Sequence, residues 1–135
     1  ILSGSNGADA SGLSLSLKQG AVQANIFGRF FRAPDKLPAD EWSHIALTVN
    51  SRTINKQATL WVNGKLAEQD LILNEWPTSF GVTEMLTDHW NQGRVFSGLL
   101  GDVRISKTLR YREPFEPDTS LKKDKQTTMW IGAGE

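Results

Sequence analysis

The segment TDHWNQGR, Thr87–Arg94, gathers the side chains best suited to gripping a small polar ligand. Trp90 offers a flat aromatic face, and Asp88, His89, Asn91, Gln92 and Arg94 surround it with hydrogen-bond donors and acceptors. Sugars are held this way: the apolar face of the ring stacks on an aromatic, and planar polar groups take the hydroxyls. Trp76, in NEWP, is a second tryptophan in a loop-like stretch. The chain has 5 tryptophans, so each needs a role. Trp42, Trp61 and Trp130 fall in strand-like runs, where packing is the expected use. Trp76 and Trp90 are the candidates for ligand contact, Trp90 first. Their plainer alternative is a loop tryptophan folded back onto the core.

Residues for acid–base or covalent chemistry are sparse. No acidic residues recur at i, i+2 and i+4, the spacing that lines one face of a strand with carboxylates. Asp40 and Glu41 are adjacent and would point to opposite faces, and Glu113, Glu116 and Asp118 lie in a proline-containing loop. The histidines are His44 and His89, and Ser43 lacks the surroundings of a nucleophile elbow. No phosphate-binding or dinucleotide glycine loop occurs. With Cys 0, disulfides, thiolate metal sites and a cysteine nucleophile are excluded. These residues predict a chain without catalytic activity.

Lys plus Arg and Asp plus Glu each total 15, so the net charge is zero and the broad basic field of a nucleic-acid binder is missing. No apolar stretch reaches the roughly 18–20 residues of a membrane-spanning helix. A length of 135 residues fits a single domain, 1–135, with a real core.

The elements that must position the candidates are strands. Ser3–Gly12 is rich in turn residues. Leu13–Leu17 (LSLSL) alternates strictly, as a half-buried strand does, and Gln19-Gly20 links it to Ala21–Phe27. Gly28–Ala33 is a further short strand, and Pro34–Asp40, with two prolines, breaks the pattern. Glu41–Asn50 reads as a central strand with Ile45, Leu47 and Val49 on one face. Gln57–Val62 and Lys65–Asp70 flank Asn63-Gly64, the pair that best tolerates the positive φ angles of a type I′ hairpin turn. With Leu60 and Val62 facing the core, Trp61 faces outward, as packing under a loop or on the other sheet surface. Phe80–Leu86, Val95–Ser106 and Thr127–Ile131 complete the strands, and Thr108–Tyr111 reads as one helical turn. Short strands joined by turns, without an apolar stripe of helical period, predict an all-β sandwich or barrel.

Three segments in order, LPADEWSHIALTVN (Leu37–Asn50), ATLWVNGKL (Ala58–Leu66) and FSGLLGDVRISKTLRYREPFEPD (Phe96–Asp118), resemble laminin-G-like domains of the concanavalin A-like lectin/glucanase superfamily, bacterial type. The resemblance implies an antiparallel two-sheet jelly-roll sandwich. Ile1-Leu2 looks like the stub that follows such a domain's first strand, so the expectation is a sandwich lacking that strand, within a longer protein. The resemblance further implies that His44 has a structural role at the sandwich rim and that Asp102 and Arg104 are structural, tying a turn or pairing locally. Many such domains hold calcium through Asp or Asn side chains, which here would be Asp9, Asp88 and Asn91, with Asn6 behind them. A glucanase of this fold would need carboxylates at i, i+2 and i+4 on one strand, a spacing that the sequence does not contain. Two readings stay open: a glycan-binding module, with Trp90, Trp76, Asp88, His89, Asn91 and Arg94 as its contacts, or a structural and protein-interaction module docking on other domains or subunits. Both imply an extracellular, periplasmic or cell-surface setting.

Overall fold

A computed structural model describes residues 2–5, 12–51, 56–72, 83–85 and 96–132. All regular structure among them is β-strand: β1 Leu2–Ser5, β2 Gly12–Lys18, β3 Ala21–Ile26, β4 Arg29–Lys36, β5 Ile45–Asn50, β6 Lys56–Val62, β7 Lys65–Ile72, β8 Thr83–Met85, β9 Val103–Ser106 and β10 Thr127–Ile131. A 5-stranded antiparallel sheet runs in the order β4-β3-β2-β1-β8, a 3-stranded one in the order β5-β6-β7, and β9 pairs with β10 as a ribbon. The two larger sheets make a sandwich.

The alternating leucines of β2 set the inner face. Leu13, Leu15 and Leu17 stand opposite Ile26, Ala24 and Val22 of β3, and residues paired across strands share a face. Val22, Ala24, Ile26 and Phe31 from the first sheet meet Ala58 and Leu60 from the second, with Ile45, Leu47, Val49 and Val62 packed around them. The Arg29 guanidinium of β4 donates twice to the Asp70 carboxylate of β7, at 2.6 and 2.8 Å, and joins the two sheets along one margin.

The hairpins follow local chemistry. Gln19-Gly20 and Asn63-Gly64 both turn with positive φ, at 54° and 84° and at 50° and 74°. Tight two-residue connections need that geometry.

Several elements differ from the sequence expectation. Ser3, Gly4 and Ser5, expected as turn, belong with Leu2 to a strand, because it is paired on both sides, by β2 and by β8. Pro34 does not end β4. The pairing shifts from Gln23↔Arg32 to Ala21↔Lys36, so a bulge absorbs the proline on a strand at the sheet margin, where its missing N–H costs no interior ladder bond. β5 begins only at Ile45. Of Val95–Ser106, the stretch Val103–Ser106 alone is strand among the described residues, and Thr108–Tyr111 forms no helical turn. Residues 107–118 instead cross the outer face of β5 and β6 as an irregular strap.

Candidate functional site

The strap is fastened at the Asn63-Gly64 turn. The His44 N–H donates to Asn63 Oδ1 and the Asn63 N–H to the His44 carbonyl, both at 2.8 Å. The Phe115 N–H then donates to the Gly64 carbonyl at 3.0 Å. A Cβ on Gly64 would overlap the Phe115 carbonyl oxygen, so the strap sits where any other residue would project its side chain. Tyr111 stacks on Phe115 with ring centroids 3.7 Å apart. His44 meets both edge-on, at 5.9 and 5.5 Å, and Trp61 meets Phe115 at 5.8 Å.

Trp61 is therefore a packing residue, as the alternation of β6 implied. It is 2% exposed, and its indole N–H donates to Thr48 Oγ1 at 2.9 Å. Trp130 also packs, and its N–H donates to the Leu121 carbonyl at 3.1 Å. Trp42 does not follow that expectation. It precedes β5 and is 71% exposed, lying against Gly101, where a Cβ would be 3.3 Å from its ring.

Next to the strap, the outer face of β5–β6–β7 opens into a polar groove of about 200 Å³. Thr48 and Asn50 of β5 stand opposite Thr59 and Gln57 of β6, and Thr59 stands opposite Gln69 of β7. Leu109, Tyr111 and Arg112 of the strap form the remaining wall. The floor is internally bonded: the Thr48 hydroxyl donates to the Thr59 carbonyl at 3.4 Å, and Gln69 Nε2 donates to Thr59 Oγ1 at 2.9 Å. Among the described residues, the Gln57 amide and the Arg112 guanidinium have no protein partner, and the lining contains no carboxylate. The groove can thus offer a ligand amide and guanidinium donors, and an acceptor at Gln69, without a proton-transfer pair.

Behind the strap, the ribbon is clamped to residues 119–124. Asp102 Oδ2 accepts from the Leu121 N–H at 2.7 Å and from Ser120 Oγ at 3.2 Å. Arg104 donates to the Lys122 carbonyl at 3.1 Å and to the Tyr111 hydroxyl at 3.2 Å. Both residues are structural ties, as the resemblance implied. Arg110 donates to both oxygens of Asp124, at 3.0 and 2.7 Å, which holds that carboxyl well below its ordinary range.

The ligand candidates Trp90, Trp76, Asp88, His89, Asn91 and Arg94, and the calcium candidates Asp9, Asp88 and Asn91, all lie outside the described residues. Among the described residues, no group of three or more His, Asp or Glu converges on a metal position, and no helix is long and apolar enough to cross a membrane. The groove itself escaped the sequence reading. Its strand residues were visible as the polar half of two alternations, T-V-N and Q-A-T. Nothing local marks Tyr111 and Arg112 as their neighbours, because the strap reaches them from far along the chain.

A laminin-G-type family model, described as the concanavalin A-like lectin/glucanases superfamily, matches residues 3–113. No curated protein and no solved structure matches the chain.

Proposed function

We propose a non-catalytic carbohydrate-binding module, starting from the fact that the chain belongs to the concanavalin A-like lectin/glucanase superfamily. The observation that carries this reading is the groove beside the strap, with its bonded threonine floor and, among the described residues, Gln57 and Arg112 unpartnered and no carboxylate in the lining. Amides and a guanidinium suit the paired hydroxyls of a sugar ring, and about 200 Å³ suits one ring rather than a long chain segment. A glycosidase mechanism needs an acid and a second carboxylate flanking the bond, and the described residues of this lining supply neither. The segment around Trp90, with Asp88, His89, Asn91 and Arg94, and Trp76 remain our second proposed contact region, with calcium at Asp9, Asp88 and Asn91 as its proposed ion. The reading belongs to an extracytoplasmic multidomain protein, in which residues 1–135 are one domain.

The test is a glycan array run with and without calcium. Retention of a sugar, lost by about tenfold in Gln57→Ala and Arg112→Ala, supports the groove. Retention lost only in Trp90→Ala moves the site to that segment. No retention in either condition rejects the carbohydrate reading, and release of sugar from a β-glucan by the pure domain rejects the non-catalytic one.

A protein-interaction module is the second reading, favoured by Trp42 and Leu99, which are 71% and 81% exposed. Exposed aromatics commonly anchor protein interfaces. An array without retention, together with concentration-dependent sedimentation abolished in Trp42→Ala, would favour it.

A further inference from the structure

We propose that His44 is a proton-operated latch: neutral, it holds the strap closed along the groove, and protonated, it releases it. Only the consequence for a ligand rests on the binding reading above. The latch rests on the packing of His44 itself.

His44 sits where three parts of the chain meet. Its backbone is bonded in both directions to Asn63, and its ring lies edge-on to both stacked rings of the strap. The strap in turn holds the turn through Phe115 and walls the groove through Tyr111 and Arg112. Among the described residues, Nδ1 of His44 is buried without a hydrogen-bond partner. A neutral imidazole tolerates this, because Nδ1 can be its proton-free nitrogen. An imidazolium carries a proton on both nitrogens, so protonation places a charged donor in a ring-lined space with no acceptor. Orphaned buried donors are costly, and moving the strap is the simplest way to let water in.

The charged surroundings weigh the same way. Arg104 of β9, bonded to the Tyr111 hydroxyl, repels a second positive charge, while Asp118 at the far end of the strap attracts one. Tyr111 is the titratable group in direct ring contact, and the neighbouring turn contributes the uncharged Asn63 and Gly64. Burial is the largest influence and Arg104 adds to it, so that despite Asp118 the His44 imidazole is held below its ordinary value. A histidine lowered in the folded state contributes its full stabilisation above the unfolded value of about 6.5, and loses it as the pH falls below that. Closure is therefore complete at neutral pH and weakens on acidification.

Amide hydrogen exchange followed by NMR tests this without any sugar, so its outcome is separate from that of the array. The probe is the Phe115 N–H, which bonds Gly64, and the control is the Leu37 N–H, which bonds Gly20 at a different turn. Between about pH 7.5 and pH 5, Phe115 protection, corrected for intrinsic exchange, should fall about tenfold while Leu37 protection holds. In His44→Phe, which keeps a ring but cannot titrate, both should stay level. Should that variant not fold, His44→Gln, uncharged throughout, must give the same level profile. Two results overturn the latch: Phe115 protection unchanged down to about pH 5, whatever the state of the His44 ring, or the same acid loss in the non-titrating variant.

Discussion

Gly64 does two jobs, and only one was readable in the sequence. Asn-Gly announces a type I′ turn, and the φ of 74° agrees. The second job is space: the Phe115 carbonyl occupies the place of a Cβ. Gly64→Ala therefore combines left-handed backbone strain with a backbone clash, and should lower stability by about 2–4 kcal/mol, read as a shifted urea midpoint. Asn63 shows the same division. Its tolerance of positive φ was legible, but the bond from the His44 N–H to its side chain was not, since nothing near either residue names the other. Trp61 was more transparent, because alternation with Leu60 and Val62 fixes its face whatever covers it.

Among elements, the ribbon shows why strand length was harder to read than strand existence. VRIS pairs with the chain's last strand as its β-branched pattern suggests, whereas the preceding FSGLLGD is apolar enough to imitate a strand yet does not form one. Its composition reflects contacts such as that of Gly101 with Trp42, not ladder pairing. The irregular residues 119–124 are held by side chains of the ribbon and of the strap: Asp102, Arg104, Trp130 and Arg110. Removing the Asp102 carboxylate leaves two donors unpaired, the Leu121 N–H and the Ser120 hydroxyl, whereas removing the Trp130 N–H leaves one carbonyl unpaired. Asp102→Ala should thus make cleavage within residues 119–124 markedly faster under limited proteolysis. Trp130→Phe, losing one neutral bond to Leu121, should cost only about 0.5–1.5 kcal/mol in a denaturant titration. Acid has a related effect. Asp124, lowered by Arg110, contributes stability above the ordinary carboxylate range near pH 4 and loses it as the pH falls below, a step distinct from that of His44 and removed in Asp124→Asn.

At the scale of the molecule, the all-β sandwich was the most legible feature, because period-two alternation and turn pairs recur along the chain and each reports the same architecture. The pairing of distant segments was not legible. β1 lies between β2 and β8, and the strap lies on β5 and β6, through contacts that carry no local signature. The core predicts its own sensitivity: Leu60, 0% exposed between the sheets, should cost about 2–5 kcal/mol when truncated in Leu60→Ala, measured by thermal or urea unfolding. The contact between Gly64 and the strap has a consequence in time as well. A hairpin closes in about 1–10 μs, whereas seating Phe115 on its turn must close a long loop and has no landing place until the turn exists. Docking of the strap then belongs after the folding barrier. In stopped-flow experiments Gly64→Ala should slow refolding only by the share of its cost that is turn strain and put the share of the clash into unfolding, about 30-fold faster for each 2 kcal/mol. The seat of Phe115 would set how long the native state lasts, rather than how quickly it is reached.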